Sequence, residues 1–236
     1  MKIKIHKSGE RGLADYGWLK ARYSFNFANY FDPMRERFGV LRVLNDDVVE
    51  GGGGFAKHPH SNMEIITIPL EGSLEHKDSM GNTSVIRKNE VQYMSAGTGV
   101  QHSEYNHSPV DLLNLLQIWI FPKTRNTSPA YNQINLEGKR VINRIQTIVS
   151  PDGGDSIIQI NQDAWLSLLF SDAGLKHHYQ VKKAGNGIFV FIIDGEVETV
   201  DIRAGKRDSI EITEIPEIEF MTPVKSEILI IEVPED

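Results

Sequence analysis

The chain has 236 residues, 40% hydrophobic and 24% charged, with a formal net charge of −7 and no cysteine. That is globular composition, long enough for one large domain or two small ones, and it excludes a disordered chain. Lacking a long basic run, the chain is not expected to bind nucleic acid directly; lacking cysteine, it excludes disulfides, iron–sulfur clusters, thiolate zinc sites and cysteine nucleophiles.

From the N-terminus, Met1-Lys2-Ile3-Lys4-Ile5-His6 carries basic residues with no continuous apolar stretch behind them, so no secretion signal is expected. Asp32-Pro33-Met34-Arg35-Glu36-Arg37-Phe38-Gly39 predicts a short helix, with a capping aspartate, proline at the first helical position and a closing glycine. Most other apolar segments are short, Val- and Ile-rich, and separated by Gly, Asn, Asp or Pro. They fall at 41–44, 65–70, 85–86 and 91–94, and again at 141–149, 166–170, 188–193 and 228–233. This is how barrels and sandwiches of short strands read. The most apolar stretch, 112–121, is too short for a bilayer and is interrupted by Asn114 and Gln117. A cytoplasmic protein without membrane association is the expectation.

Asp194-Gly195, between the apolar run Phe189-Val190-Phe191-Ile192-Ile193 and Glu196-Val197-Glu198, predicts a hairpin. The segment leading into Gly195 resembles the one leading into Gly72: an apolar strand, an acidic-Gly turn, then an alternating strand. The two lie about half the chain apart, which predicts two related β-domains, at 1–125 and 126–236. The polar segment 123–138 is the natural linker.

Four residues carry candidate chemistry. Residues two apart on a strand share a face, so His58-Pro59-His60 presents two imidazoles together and His102-Ser103-Glu104 an imidazole and a carboxylate. On facing walls of a barrel, His58, His60, His102 and Glu104 would offer three nitrogens and one oxygen. Pro59 lacks an N–H, which places its segment at an edge or a strand start. Glycines precede both pairs, Gly51 to Gly54 and Gly97 and Gly99, and permit close approach of the backbone. Such a set suits one divalent first-row ion, Fe(II) foremost, with Mn, Ni, Co, Cu or Zn able to compete. Glu64, four residues after His60, is an alternative ligand, although a solvent-facing or supporting carboxylate suits it better. Adjacent His177 and His178 face opposite ways and read as surface residues. His76 reads as part of a solvated charged turn, and His107 has no partner in the sequence. Gln117 is either support for the site or a satisfied core amide.

These residues, with Gly17-Trp18-Leu19, Phe25-Asn26-Phe27, the run from Gly39 through Asp47, Glu75-His76-Lys77-Asp78-Ser79 and Met94-Ser95-Ala96-Gly97-Thr98-Gly99, resemble the pirin family. The likeness is specific from Arg11 to Trp119 and looser beyond. Pirins are bicupins, and they include bacterial quercetin 2,3-dioxygenases. The resemblance implies an all-β fold of two tandem cupin barrels (double-stranded β-helix or jelly-roll) with few short helices. It also implies that His58, His60, His102 and Glu104 are the iron ligands of the first barrel. Asn89-Glu90 stands where the family has a Gly-Asp turn, and asparagine tolerates the same left-handed backbone.

Displacing the four ligand positions by the repeat offset lands on Val181, Lys183, Lys225 and Glu227, so the second barrel is expected to be metal-free. The implied reaction is metal-dependent cleavage of quercetin or a related flavonol by O2, giving a depside and carbon monoxide. Glu104 is then also the catalytic base, being the one ligand able to take the substrate's hydroxyl proton. The resemblance leaves open a second role, an iron-binding, redox-sensing protein that engages a protein partner without turnover. Pocket volume separates the two, because turnover needs an apolar cavity beside the metal.

Overall fold

The structure is a computed structural model that describes residues 1–200 and 202–235. Among these residues the chain forms strands and one 3-10 turn at Ser8–Glu10, with no α-helix. The short helix expected at 32–39 is a turn instead. Asp32 Oδ1 accepts the Met34 N–H at 2.9 Å, as a capping residue would. The backbone then closes by Arg35 N–H to Asp32 O at 3.0 Å, and Asn26 Oδ1 takes the Asp32 N–H at 2.6 Å. Local bonds thus satisfy the groups that a helix would otherwise pair. No helix among the described residues is long and apolar enough to cross a membrane.

The chain divides into two compact units, one of residues 12–37 and 41–137, the other of 1–11, 38–40 and 138–236. The first eleven residues therefore fold with the second half of the chain, not with the first as a linear division would have it. Their strand, Lys2–His6, pairs antiparallel with Ser209–Thr213, and its alternating Ile3 and Ile5 pack on that unit's core. The expected linker at 123–138 is also structured in part, since Ala130–Asn135 pairs with Glu90–Ser95.

Each unit holds a seven-stranded and a four-stranded antiparallel sheet, apart from one short parallel pairing at the edge of the second. In the first unit the larger sheet runs Ala130–Asn135, Glu90–Ser95, Glu64–Glu71, Leu113–Ile120, Leu41–Val49, Leu19–Tyr23, Gly12–Asp15. The smaller runs Gly54–His60, Val100–Asn106, Ser73–Asp78, Thr83–Arg87. Their inner faces share one apolar cluster, with Leu19, Val49, Leu113 and Leu115 from the larger sheet and Leu74 and Ile86 from the smaller. Alternation on each strand sends those residues inward and polar ones outward. The second unit repeats the order strand for strand in its smaller sheet: Leu175–Gln180, Glu217–Thr222, Glu196–Thr199, Ile202–Gly205.

The repeat around Gly72 and Gly195 is real, but neither marks a hairpin. Glu64–Glu71 lies in the larger sheet and Ser73–Asp78 in the smaller, and the same holds for Asn186–Asp194 and Glu196–Thr199. Both glycines are corners where the chain passes between sheets, at φ +76° and +85°. A side chain on Gly72 would meet the carbonyl of Leu112, and one on Gly195 the backbone of Lys225 and Ser226.

Candidate metal centre

Two neighbouring strands of the smaller sheet build the centre. Val100–Asn106 alternates cleanly, with Val100, His102, Glu104 and Asn106 inward and Gln101 and Tyr105 outward. Its partner Gly54–His60 is the edge strand, which accommodates Pro59. Gly54 lies opposite Tyr105, where a Cβ would come within 2.5 Å of the Tyr105 Cα, so only glycine lets the strands close there.

His102 pairs with His58, but two residues on it is Phe55, not Ala56, that stands across from Glu104. This bulge turns the Ala56 carbonyl toward the His58 ring, with His58 Nδ1 and Ala56 O at 2.8 Å. A carbonyl can only accept, so Nδ1 carries the hydrogen and Nε2 keeps its lone pair, as a ligand requires.

The ligand nitrogens of His58, His60 and His102 all lie within 4.8 Å of one another. The ring centroids are 4.8 Å apart for His58 and His60, 4.4 Å for His58 and His102, and 4.9 Å for His60 and His102. Burial, reinforced by the neighbouring His58, pushes the His60 pKa down to about 4. Burial first, then His58, His60 and His76, also hold His102 well below the ordinary histidine value. Three imidazoles converge, each with a ring nitrogen able to offer a lone pair.

Glu104 is 4% exposed. Burial drives its carboxyl pKa up to about 7, partly opposed by hydrogen bonds from Gln117 and Thr67. Gln117 Nε2 donates to Glu104 Oε2 at 3.0 Å, while Thr67 Oγ1 donates to Gln117 Oε1 at 3.1 Å. Gln117 therefore supports the site and is also a satisfied buried amide. A carboxyl poised near neutrality is suited to exchanging a proton.

The donor set fits a metal ion on its own evidence. His102 is 2% exposed, yet neither of its ring nitrogens has a hydrogen-bond partner. Buried polar groups are almost always paired, and an orphan of this kind beside two further imidazoles is explained by a cation that takes the lone pair.

Glu104 groups at that 4.8 Å spacing with His102 and His76. His76 was expected on a solvated turn. It is fully buried instead, on Ser73–Asp78, directly across from Glu104. Extending the alternation from the inward Leu74 by two residues would have found it. Glu64, expected as solvent-facing or supporting, is also fully buried; it accepts from the Tyr93 hydroxyl and from Ser95 Oγ at 2.8 Å. His177 and His178 do face opposite ways, but only His178 is exposed; His177 Nε2 is 2.7 Å from Ser171 Oγ in the second unit's interior. His107 is half exposed, 3.6 Å from Glu75.

Sheet register locates the equivalents of three of the four residues better than a fixed offset does. Glu75 pairs with Tyr105, and Glu198, equally far beyond its own corner glycine, pairs with Met221. Stepping from there, Glu104 corresponds to Phe220, His102 to Ile218 and His58 to Tyr179. All three belong to one buried apolar cluster. Unequal strand and loop lengths had shifted the positions counted from sequence alone.

A cavity of about 280 Å³ opens in the first unit, walled by Trp18, Tyr23, Phe27 and Phe55 with polar Asn45 and Asp47. Phe55 adjoins the His58 ring at 6.4 Å between centroids, and Phe27 reaches His60 through Trp119, at 5.4 and 4.9 Å.

Two tandem two-sheet barrels, with converging histidines in the first, define a bicupin with a candidate metal centre. Comparison with known proteins narrows the class. Residues 5–120 match the family model described as Pirin, and 147–233 match the one described as Quercetinase C-terminal cupin domain. A protein of Escherichia coli K12 named quercetin 2,3-dioxygenase is 39% identical over 98% of this chain and 99% of its own length. The crystal structure of YhhW from Escherichia coli superposes with a TM-score of 0.94 at 38% identity, covering 99% of this chain and 98% of that one. A structure of that bacterial pirin in complex with nickel(II) superposes at 0.93, also at 38% identity and covering 99% of each chain. The chain belongs to the pirin family, among the quercetin 2,3-dioxygenase-like oxidoreductases.

Proposed function

We propose that this chain is a metal-dependent dioxygenase that cleaves quercetin or a related enolizable flavonol with O2, giving the depside and carbon monoxide. One divalent ion is held by His58, His60, His102 and Glu104, with Fe(II) the metal that suits the donor set and the reaction best. The observation that carries the reading is the buried, unpartnered imidazole of His102 facing His58 and His60, with an aromatic-walled cavity close by. The nickel bound by a relative of nearly the same fold supports a single ion as cofactor. The name of the Escherichia coli relative supports an aromatic substrate and O2 as the reactants.

When bound, the metal supplies Lewis acidity toward the substrate oxygen and a means of handling O2. The protein's own part follows from the geometry. Trp18, Phe27 and Phe55 offer flat apolar surface to an aromatic ring and exclude water from it. The Glu104 carboxylate, buried beside the histidines, takes the proton of the substrate's enolic hydroxyl. Gln117 holds Glu104 in place while the proton moves. Both oxygen atoms enter the products, and the carbon lost as carbon monoxide balances the step.

Anaerobic loading with iron, then a flavonol and O2, tests this. Loss of flavonol absorbance with equimolar carbon monoxide is expected. Stoichiometric iron with no turnover would contradict the enzyme reading and favour an iron-sensing protein that engages a partner.

A further inference from the structure

The centre contains two overlapping sets of donors. His58, His60 and His102 form one, and His76, His102 and Glu104 form the other; within each, all ligand atoms lie within 4.8 Å. The second set lies wholly in the interior, with His76 0% and His102 2% exposed.

His76 has the arrangement of a metal-binding histidine. Its Nε2 is 3.1 Å from Asp78 Oδ2, and both side chains are fully buried. Asp78 is itself fixed, accepting from Asn82 Nδ2 at 2.8 Å on Oδ2 and from the Met80 and Asn82 N–H groups at 2.9 and 3.0 Å on Oδ1. Asp78 is the acceptor in each of these bonds, and as acceptor toward His76 too it places the hydrogen of that ring on Nε2. With that hydrogen on Nε2, the other ring nitrogen, Nδ1, is left to offer its lone pair. That nitrogen is buried and has no hydrogen-bond partner. A carboxylate that sets the tautomer of an imidazole whose other nitrogen is free is the common support of a metal ligand. Packing alone would not explain it, because an apolar side chain could fill the same space without leaving a polar atom unpaired.

The geometry points to a second, inner cation position held by His76, His102 and Glu104, behind the outer one of His58, His60 and His102. Both positions use His102, so one divalent ion occupies one or the other. The inference rests on the proposed metal site and extends it: His76 is a further ligand, and Glu104 belongs to the inner position as well as to the full outer set.

Cobalt(II) binding by equilibrium dialysis and visible absorption tests it, with thermal unfolding as the check on folding. The paired variant His58→Ala, His60→Ala is expected to keep one cobalt per chain, bound at least about 100-fold more weakly than in the wild type, beyond the loss usual for an outer-shell partner. Adding His76→Gln should abolish saturable binding. Adding the isosteric Glu104→Gln instead should do the same, which covers the case in which His76→Gln fails to fold. A folded paired variant that binds no cobalt overturns the inner position and leaves the outer assignment standing. Equal binding with and without His76→Gln or Glu104→Gln also overturns it. Binding of undiminished affinity in the paired variant contradicts the outer assignment; its loss on adding His76→Gln would still support the inner one.

Discussion

His102 stands directly across from His58 in the antiparallel pairing of Val100–Asn106 with Gly54–His60, with the ring centroids 4.4 Å apart. Strand pairing alone thus brings together imidazoles that are 44 positions apart in the chain. The bulge just beyond them sets the His58 tautomer through the Ala56 carbonyl. The proposed ligand set is thus built on paired strands of one sheet and shares the rigidity of that sheet. Several expected outcomes depend on that.

Gln117 bridges Thr67 and Glu104 within the barrel. Gln117→Leu keeps the volume but removes both hydrogen bonds. Metal affinity should fall about 10–100-fold, the usual cost of losing support behind a ligand. Stability of the metal-free protein should fall by about 1–3 kcal/mol for the polar groups left unpaired. Calorimetric metal titration and thermal unfolding measure the two separately.

Glu104 makes the metal-free protein sensitive to pH. Its folded pKa of about 7 lies above the ordinary 4.5, so the folded form holds this proton more tightly than the unfolded chain does. Its contribution to stability is complete below about pH 4.5 and is lost as pH rises to about 7, on the order of 3 kcal/mol in all. His60 acts oppositely: its pKa is lowered to about 4, so stability rises with pH between there and 6.5. Glu104→Gln should remove the fall and leave the rise from His60. Denaturant unfolding of both metal-free proteins between about pH 4 and about pH 8 would show it. Metal binding requires the carboxylate, so wild-type affinity should climb with pH up to about 7.

Glu232 is a fully buried acid of the second unit whose carboxylate is fully satisfied. It accepts from the Tyr179 hydroxyl at 2.8 Å, from Asn186 Nδ2 at 2.9 Å and from the Lys182 and Lys183 N–H groups. Glu232→Ala strands four donors and should cost about 3–5 kcal/mol, with a clear drop in Tm and unchanged metal content per folded chain. Metal lost in proportion to no unfolding would mean that the second unit controls the site.

The convergence of His58, His60 and His102 was legible in the sequence because its signal is local. A His-x-His pair and a His-x-Glu pair on strands leave little freedom in how the side chains point. The sequence also carried the all-β class and the repeat, through short Val- and Ile-rich runs and two matching glycine corners. What it hid depended on non-local pairing. Lys2–His6 looks like any exposed strand until Ser209–Thr213 accepts it. Gly72 and Gly195 read as hairpin turns because the following strand begins at once, and only the pairing shows that it joins the other sheet. His76 was obscured by the charged residues beside it, although Glu75 and Lys77 point away from the face that His76 shares with Leu74. Asp32 kept the capping bond of a helix start, but Asn26 and Arg35 closed the chain as a turn.

The most direct test of the metal centre is the bound metal per folded chain, by elemental analysis, in the wild type and in His102→Ala after identical loading with Fe(II). His102 is common to both donor sets, so its loss should leave no stoichiometric metal while the wild type holds one ion. Full metal content in folded His102→Ala would contradict the centre described for this protein.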